Sequence, residues 1–194
     1  MFSGIIQAVS KVKKAEHHSG SLFLSIDRPI GWKITPGDSI ATNGVCLTVR
    51  SVNKKMYTTE LMDETLSVSS FGKTVPAQVN LEPALRLGAS LDGALVLGHV
   101  DTVGQIKKMT PRGRAKMCVV QFSARFGRYV VLKGSITLNG VNLTIVDCSM
   151  AWCSVSLVEY TLQHTTFGQN KVGDLVNIEF DIIGKYVEKI IRKK

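Results

Sequence analysis

The chain has 194 residues, 44% of them hydrophobic and 20% charged. That balance is globular, which excludes disordered, collagen-like and disulfide-framework proteins and leaves room for one full domain or two small ones. Lysine and arginine outnumber the acids 24 to 15, for a formal net charge of +9, so nucleic acid, an anionic membrane surface and an anionic ligand all enter as classes to weigh. The charge is uneven: residues 1–94 carry 10 Lys/Arg against 8 Asp/Glu, and residues 95–194 carry 14 against 7.

From the N-terminus, Met1-Phe2-Ser3-Gly4-Ile5-Ile6-Gln7 lacks a basic segment followed by a long apolar run, so it is not expected to be a signal peptide. Short runs rich in Val, Ile, Thr and Leu follow, punctuated by Gly, Asn and Asp every 8–12 residues, the spacing of a small β-barrel or sandwich. Asn43-Gly44 is the strongest local hairpin signal, because both residues tolerate the positive φ of a two-residue type I′ turn. In the strand after it, Val45, Leu47 and Val49 share one face and Cys46 and Thr48 the other.

The second half repeats the first. Ser39-Ile40-Ala41-Thr42-Asn43-Gly44-Val45-Cys46-Leu47-Thr48-Val49 returns 96 residues later as Ser135-Ile136-Thr137-Leu138-Asn139-Gly140-Val141-Asn142-Leu143-Thr144-Ile145. The same offset carries Leu61 onto Leu157, Thr65-Leu66 onto Thr161-Leu162 and Phe71-Gly72 onto Phe167-Gly168. Gly4-Ile5-Ile6 matches Gly98-His99-Val100 at an offset of 94, and Val79-Asn80-Leu81-Glu82 matches Val176-Asn177-Ile178-Glu179 at 97. Matches held at nearly one offset identify a tandem duplication. The chain divides into copies 1–90 and 91–183 and a tail 184–194. Asn142 and Thr144 repeat the outward face of Cys46 and Thr48, so one surface is used twice.

The tail is the one clear helix. Tyr186, Val187, Ile190 and Ile191 form an apolar stripe opposite a basic face, which docks either on its own barrel or against partner helices. The excess charge lies in Lys107–Lys116 and in this tail. The first stretch has no aromatic residue to stack a base, and both read as solvated surface away from the repeated face. Cys46, Cys118, Cys148 and Cys153 have neither zinc-site nor disulfide-framework spacing, and no apolar run is long enough to span a membrane. The residues point to a reduced cytoplasmic protein with no metal, no membrane partner and no nucleic acid.

Several motifs in order now support a resemblance over essentially the whole chain: Met1-Phe2-Ser3-Gly4-Ile5-Ile6, Gly37-Asp38-Ser39-Ile40 with Asn43–Val49, Leu97-Gly98-His99-Val100-Asp101, Lys133-Gly134-Ser135-Ile136 with Gly140–Thr144, and Thr165-Thr166-Phe167-Gly168. Together they resemble riboflavin synthase of the α-subunit type. The resemblance implies an all-β fold of two six-stranded Greek-key barrels with a short C-terminal helix, assembled as a homotrimer. It implies a transferase that dismutates two 6,7-dimethyl-8-ribityllumazine molecules to riboflavin and 5-amino-6-(D-ribitylamino)uracil. No cofactor is needed. Each barrel binds one lumazine, the working site lies between subunits, and the trimer can dock into the capsid of lumazine synthase. The alternative is a non-catalytic lumazine- or flavin-binding homologue of the antenna type.

On this resemblance the catalytic set is His99, Cys46, Thr144, Asp181 and Asn142. An imidazole titrates near neutral pH and suits proton transfer from the acidic 7-methyl group. A thiol can add to or polarise the ring. Hydroxyl and amide groups can stabilise developing charge. The first lumazine is expected to meet Gly4-Ile5-Ile6, Ser39, Cys46-Leu47-Thr48 and Glu60-Leu61-Met62-Asp63-Glu64-Thr65. The second is expected to meet Gly98-His99-Val100, Asn142-Leu143-Thr144 and Ser156-Leu157-Val158-Glu159-Tyr160-Thr161, and Lys133 is expected to contact substrate, supplied across subunits. Two departures stand out: Asn142 where the family usually has Ser, and Ala94 where it often has His.

Overall fold

A computed structural model describes residues 1–192; Lys193 and Lys194, the end of the expected helical tail, lie outside the described residues. Strands β1 (Ala8–His18), β2 (Ser21–Asp27), β3 (Ser39–Thr42), β4 (Val45–Val52), β5 (Met56–Leu61) and β6 (Gln78–Pro83) close into a barrel in the order β1-β2-β5-β4-β3-β6. The second barrel contains β7 (Thr102–Arg112), β8 (Ala115–Gln121), β9 (Ser135–Leu138), β10 (Val141–Ser149), β11 (Trp152–Leu157) and β12 (Leu175–Phe180), in the equivalent cyclic order. All pairings are antiparallel, and closure leaves neither sheet an open edge. In each barrel the first of four neighbouring strands returns beside the last, which is the Greek-key arrangement.

Local chemistry explains the hairpins. Asn43 and Gly44 have φ of 45° and 79°, and Asn139 and Gly140 have 46° and 81°. Both turns are therefore two-residue loops with positive φ at each position, joining Thr42 to Val45 and Leu138 to Val141. The alternation holds on both strands that follow. Val45, Leu47 and Val49 are buried in the first core, and Val141, Leu143 and Ile145 in the second. Cys46 and Asn142 are half-buried, and Thr48 and Thr144 exposed.

The two hairpin tips meet. A Cβ on Gly44 would lie 2.7 Å from the Gly140 backbone nitrogen, so the glycines permit the contact. Around it runs a reciprocal amide network. Asn80 Nδ2 donates to the Asn139 carbonyl (2.9 Å) and its Oδ1 accepts from Thr166 N (2.8 Å). Asn177 Nδ2 donates to the Asn43 carbonyl (2.9 Å) and its Oδ1 accepts from Ser70 N (2.7 Å). Each copy makes the same bonds to the other, so an approximate twofold relates the barrels.

The structure corrects the reading of the tail as the one helix. Between the fifth and sixth strands of each barrel lies a six-residue helix, α1 (Asp63–Val68) or α2 (Glu159–His164). Fewer than two turns give no readable 3.6-residue periodicity. The tail helix α3 spans Ile182–Ile191, and Asp181 caps it by accepting from Ile183 N (2.9 Å). Its polar side contacts its own barrel through Arg128–Glu188 (3.3 Å) and Lys185–Asp101 (2.6 Å). Its apolar stripe stays uncovered, with Ile183, Tyr186, Val187, Ile190 and Ile191 each 49–69% exposed.

Candidate functional site

The outward face of the first barrel begins at the β3–β4 hairpin, where Ser39 pairs with Thr48 and Ala41 with Cys46. The β4–β5 pairing ends at Val49–Thr59, and β5 runs on through Glu60 and Leu61 to the start of α1. The second barrel repeats this. Ser135 pairs with Thr144 and Thr137 with Asn142, and β11, whose pairing with β10 ends at Ile145–Val155, runs on through Ser156 and Leu157 to the start of α2. Ser135 is thus the counterpart of Ser39, and the 96-residue offset alone would have added it to the expected set.

The glycine segments complete these faces crosswise, contrary to the expected grouping. Cys46 N donates to the Gly98 carbonyl at 2.8 Å, and Asn142 N donates to the Gly4 carbonyl at 2.8 Å. Gly98-His99-Val100 therefore lies against the first barrel and Gly4-Ile5-Ile6 against the second. A Cβ on Gly98 would come within 2.6 Å of Cys46 Cβ, and one on Gly4 within 2.5 Å of Asn142 Cβ; both glycines have φ +77°. Only a residue without a side chain fits there.

Two carboxylates that sequence reasoning missed hold these segments. Glu82, 3% exposed, accepts from Ser3 N (2.6 Å), Ser3 Oγ (2.7 Å) and Gly4 N (3.0 Å). Glu179, 4% exposed, accepts from Leu97 N (2.7 Å), Gly98 N (2.9 Å) and His99 N (3.1 Å). Burial pushes both carboxyls above the usual range, against the lowering effect of the amide donors. Their repeat at offset 97 was the available signal.

The two faces match in position and differ in chemistry. The first has a half-buried thiol, Cys46, packed against Gly98, and the next residue, His99, is exposed. The second has Asn142; Ile5, the repeat counterpart of His99, is exposed and lines the cavity that contains Ser39. Asn142 Oδ1 is buried and has no hydrogen-bond donor among the described residues. Cys118 and Cys153 are different from Cys46: burial in the second core pushes both thiols up to about 12, which keeps them protonated.

Other expected residues fall elsewhere. Leu47, Leu61, Leu143 and Leu157 point into the barrel cores, at 0–7% exposure, so only their backbone can meet a ligand. Met62, Asp63, Glu64, Val158, Glu159 and Tyr160 are exposed, and Thr65 and Thr161 half-buried. Lys133 adopts φ 64° where the first copy has Gly37, at the far end of the β9–β10 ladder from Asn142. Asp181 caps α3 and lines a cavity of about 610 Å³ with Ser135, Tyr129 and Val187. The counterpart cavity, about 710 Å³, contains Ser39, Ile5 and Glu82. The basic hairpin is not remote from the repeated face: Arg114 lies 3.7 Å from Glu159 at the start of α2, because β8 pairs with β11 and carries the turn alongside it. Among the described residues no cluster of His, Cys, Asp or Glu is placed to hold a metal ion, and no helix is long and apolar enough to cross a membrane.

Comparison with known proteins agrees with this architecture. The family described as "Lumazine binding domain" matches twice, over residues 3–84 and 97–181. A riboflavin synthase of Actinobacillus pleuropneumoniae is 37% identical over 196 residues, covering 100% of this chain and 91% of that protein. The riboflavin synthase of Mycobacterium tuberculosis (strain ATCC 25618 / H37Rv) is 40% identical over 198 residues, covering 99% and 98%, and that of Bacillus subtilis (strain 168) is 34% identical over 195 residues, covering 100% and 91%. Among solved structures, LumP complexed with riboflavin superposes with a TM-score of 0.86 at 21% identity, over 93% of this chain and 99% of that one. LumP complexed with 6,7-dimethyl-8-(1'-D-ribityl) lumazine gives 0.83 at 21%, over 92% and 98%; both share the fold. The duplicated barrel, its twice-built outward face and the full-length relatives converge, and the chain belongs to the riboflavin synthase family.

Proposed function

We propose that this chain is a riboflavin synthase. It transfers a four-carbon unit between two molecules of 6,7-dimethyl-8-ribityllumazine, releasing riboflavin and 5-amino-6-(D-ribitylamino)uracil in the last step of riboflavin biosynthesis. The observation that carries this reading is the pair of equivalent outward faces with unlike side chains. A dismutation takes two copies of one flat molecule, so it needs two similar faces. It treats them differently, as donor and acceptor, so the faces must differ in chemistry. Holding both rings in register removes much of the bimolecular cost, about 7–11 kcal/mol in well-oriented systems.

We assign proton handling to the first face. His99 takes the proton from the 7-methyl group, and the carbanion delocalises into the ring. Cys46 lies beside it to polarise or add to the heterocycle. On the second face the Asn142 amide and the Thr144 hydroxyl hold the partner ring, with the amide in the place of the family's usual serine. Incubation of the purified protein with dimethylribityllumazine is expected to give the yellow-green fluorescence of riboflavin. Tight binding without product at about micromolar enzyme would instead mark the non-catalytic antenna-type homologue.

The working site is proposed to form between the first face of one subunit and the second face of its neighbour in a homotrimer, in a cytoplasmic setting, with docking to lumazine synthase. The uncovered stripe of α3 supports the assembly, since an exposed apolar helix face of this kind marks an interaction surface. Val187→Asp combined with Ile190→Asp is expected to reduce the sedimentation mass to that of one chain and to abolish turnover while lumazine binding persists. An unchanged mass would remove α3 from the subunit contact.

A further inference from the structure

We propose that Glu82 and Glu179 are positioning residues that act across the barrel boundary, each belonging to one barrel and setting the ligand face of the other. The inference rests on the two-face reading above and deepens it.

Glu179 is on β12 of the second barrel. Its carboxylate accepts from three consecutive backbone amides, Leu97, Gly98 and His99. The Gly98 carbonyl then accepts from Cys46 N on the first barrel. Glu82 is on β6 of the first barrel. It holds Ser3 and Gly4, and the Gly4 carbonyl accepts from Asn142 N on the second barrel. Both relays have little slack. A buried carboxylate is fixed at one end by its amide donors, and at the other a glycine packs directly against the ligand-face residue, with no room for a Cβ. A carboxylate that served only its own barrel would bond within that barrel's strands. These bond instead to the segment the other barrel uses. Leaving either carboxylate buried without its donors is costly, so the segment and the acid are held as a unit.

Exchanging one carboxylate oxygen for an amide NH₂ sets donor against donor in either orientation, because Glu179 Oε1 faces Leu97 N and Oε2 faces both Gly98 N and His99 N. Glu179→Gln is therefore expected to displace His99 and open the contact over Cys46. Turnover should fall about 10²-fold with KM little changed, the size of effect a misplacement near 1 Å can produce. The deciding readout is independent of activity: the rate of iodoacetamide alkylation at Cys46, followed by peptide mass spectrometry on the folded protein. Glu179→Gln is expected to raise it about 3-fold or more, as a local opening does. Glu82→Gln should leave it at the wild-type rate and instead weaken binding at the second face. Gly98→Ala displaces the same segment without touching the carboxylate. It should reproduce the Cys46 effect, and it supplies the reading if Glu179→Gln does not accumulate. The inference is overturned if Cys46 alkylates at the wild-type rate in Glu179→Gln or Gly98→Ala, or if Glu82→Gln accelerates it equally, which would mean general loosening. A wild-type protein that makes no riboflavin but shows the crosswise pattern would sink the proposed activity and leave the positioning role standing.

Discussion

His99→Ala is expected to lower riboflavin formation by about 10²- to 10⁴-fold, the usual contribution of a positioned acid or base, while lumazine binding changes far less. His99 is exposed, so its ring is not a core contact. The backbone at this position is fixed independently, by the bond from its amide to Glu179 and by the adjacent Gly98–Cys46 pairing. Removing the imidazole should therefore leave the segment in place and delete only the proton-handling group. Stopped-flow turnover and equilibrium titration with the substrate separate the two effects. Equal losses in both would assign the side chain to binding. A His99→Gln variant, which keeps hydrogen-bonding capacity but cannot titrate near neutrality, should be as slow as the alanine variant.

Asn177→Ala is expected to be the most destabilising single change outside the barrel cores. The side chain is 1% exposed and makes two bonds to other parts of the chain, Ser70 N→Oδ1 and Nδ2→Asn43 O. Truncation leaves a buried amide N–H and a buried carbonyl without partners, at about 1–3 kcal/mol each. A loss of about 2–6 kcal/mol corresponds to a melting temperature lower by roughly 5–20 °C for a chain of this size. Scanning calorimetry gives the shift directly. Asn80→Ala should behave alike, because its bonds to Asn139 and Thr166 are the counterparts. A shift of only a degree or two in both would mean that the barrels are held together by the Gly44–Gly140 contact and apolar packing, and that the amide network is incidental.

Asn43-Gly44 and Asn139-Gly140 specify their turns through φ alone, and the alternation after each turn follows from the period of a strand, so the division between core leucines and outward Cys46, Thr48, Asn142 and Thr144 was legible. The duplication was legible because both copies kept their spacing. The apolar stripe of α3 was legible because Tyr186, Val187, Ile190 and Ile191 recur at helical spacing among charged residues. Helices α1 and α2 were not, being too short for a periodic pattern.

The sequence by itself therefore determined two copies of one β-barrel, the residues facing outward on each, and the family. Tertiary structure alone decided which segment completes which face. Gly98 meets Cys46 and Gly4 meets Asn142 across long stretches of chain, and nothing in the local pattern around either glycine marks its distant partner. The family resemblance implies that each barrel keeps its own glycine segment. Folding about an approximate twofold exchanges them, because the hairpin tips pack on each other and bring each segment against the opposite barrel. For the same reason Glu82 and Glu179 look like acids closing apolar strands until the fold sets a row of backbone amides in front of each.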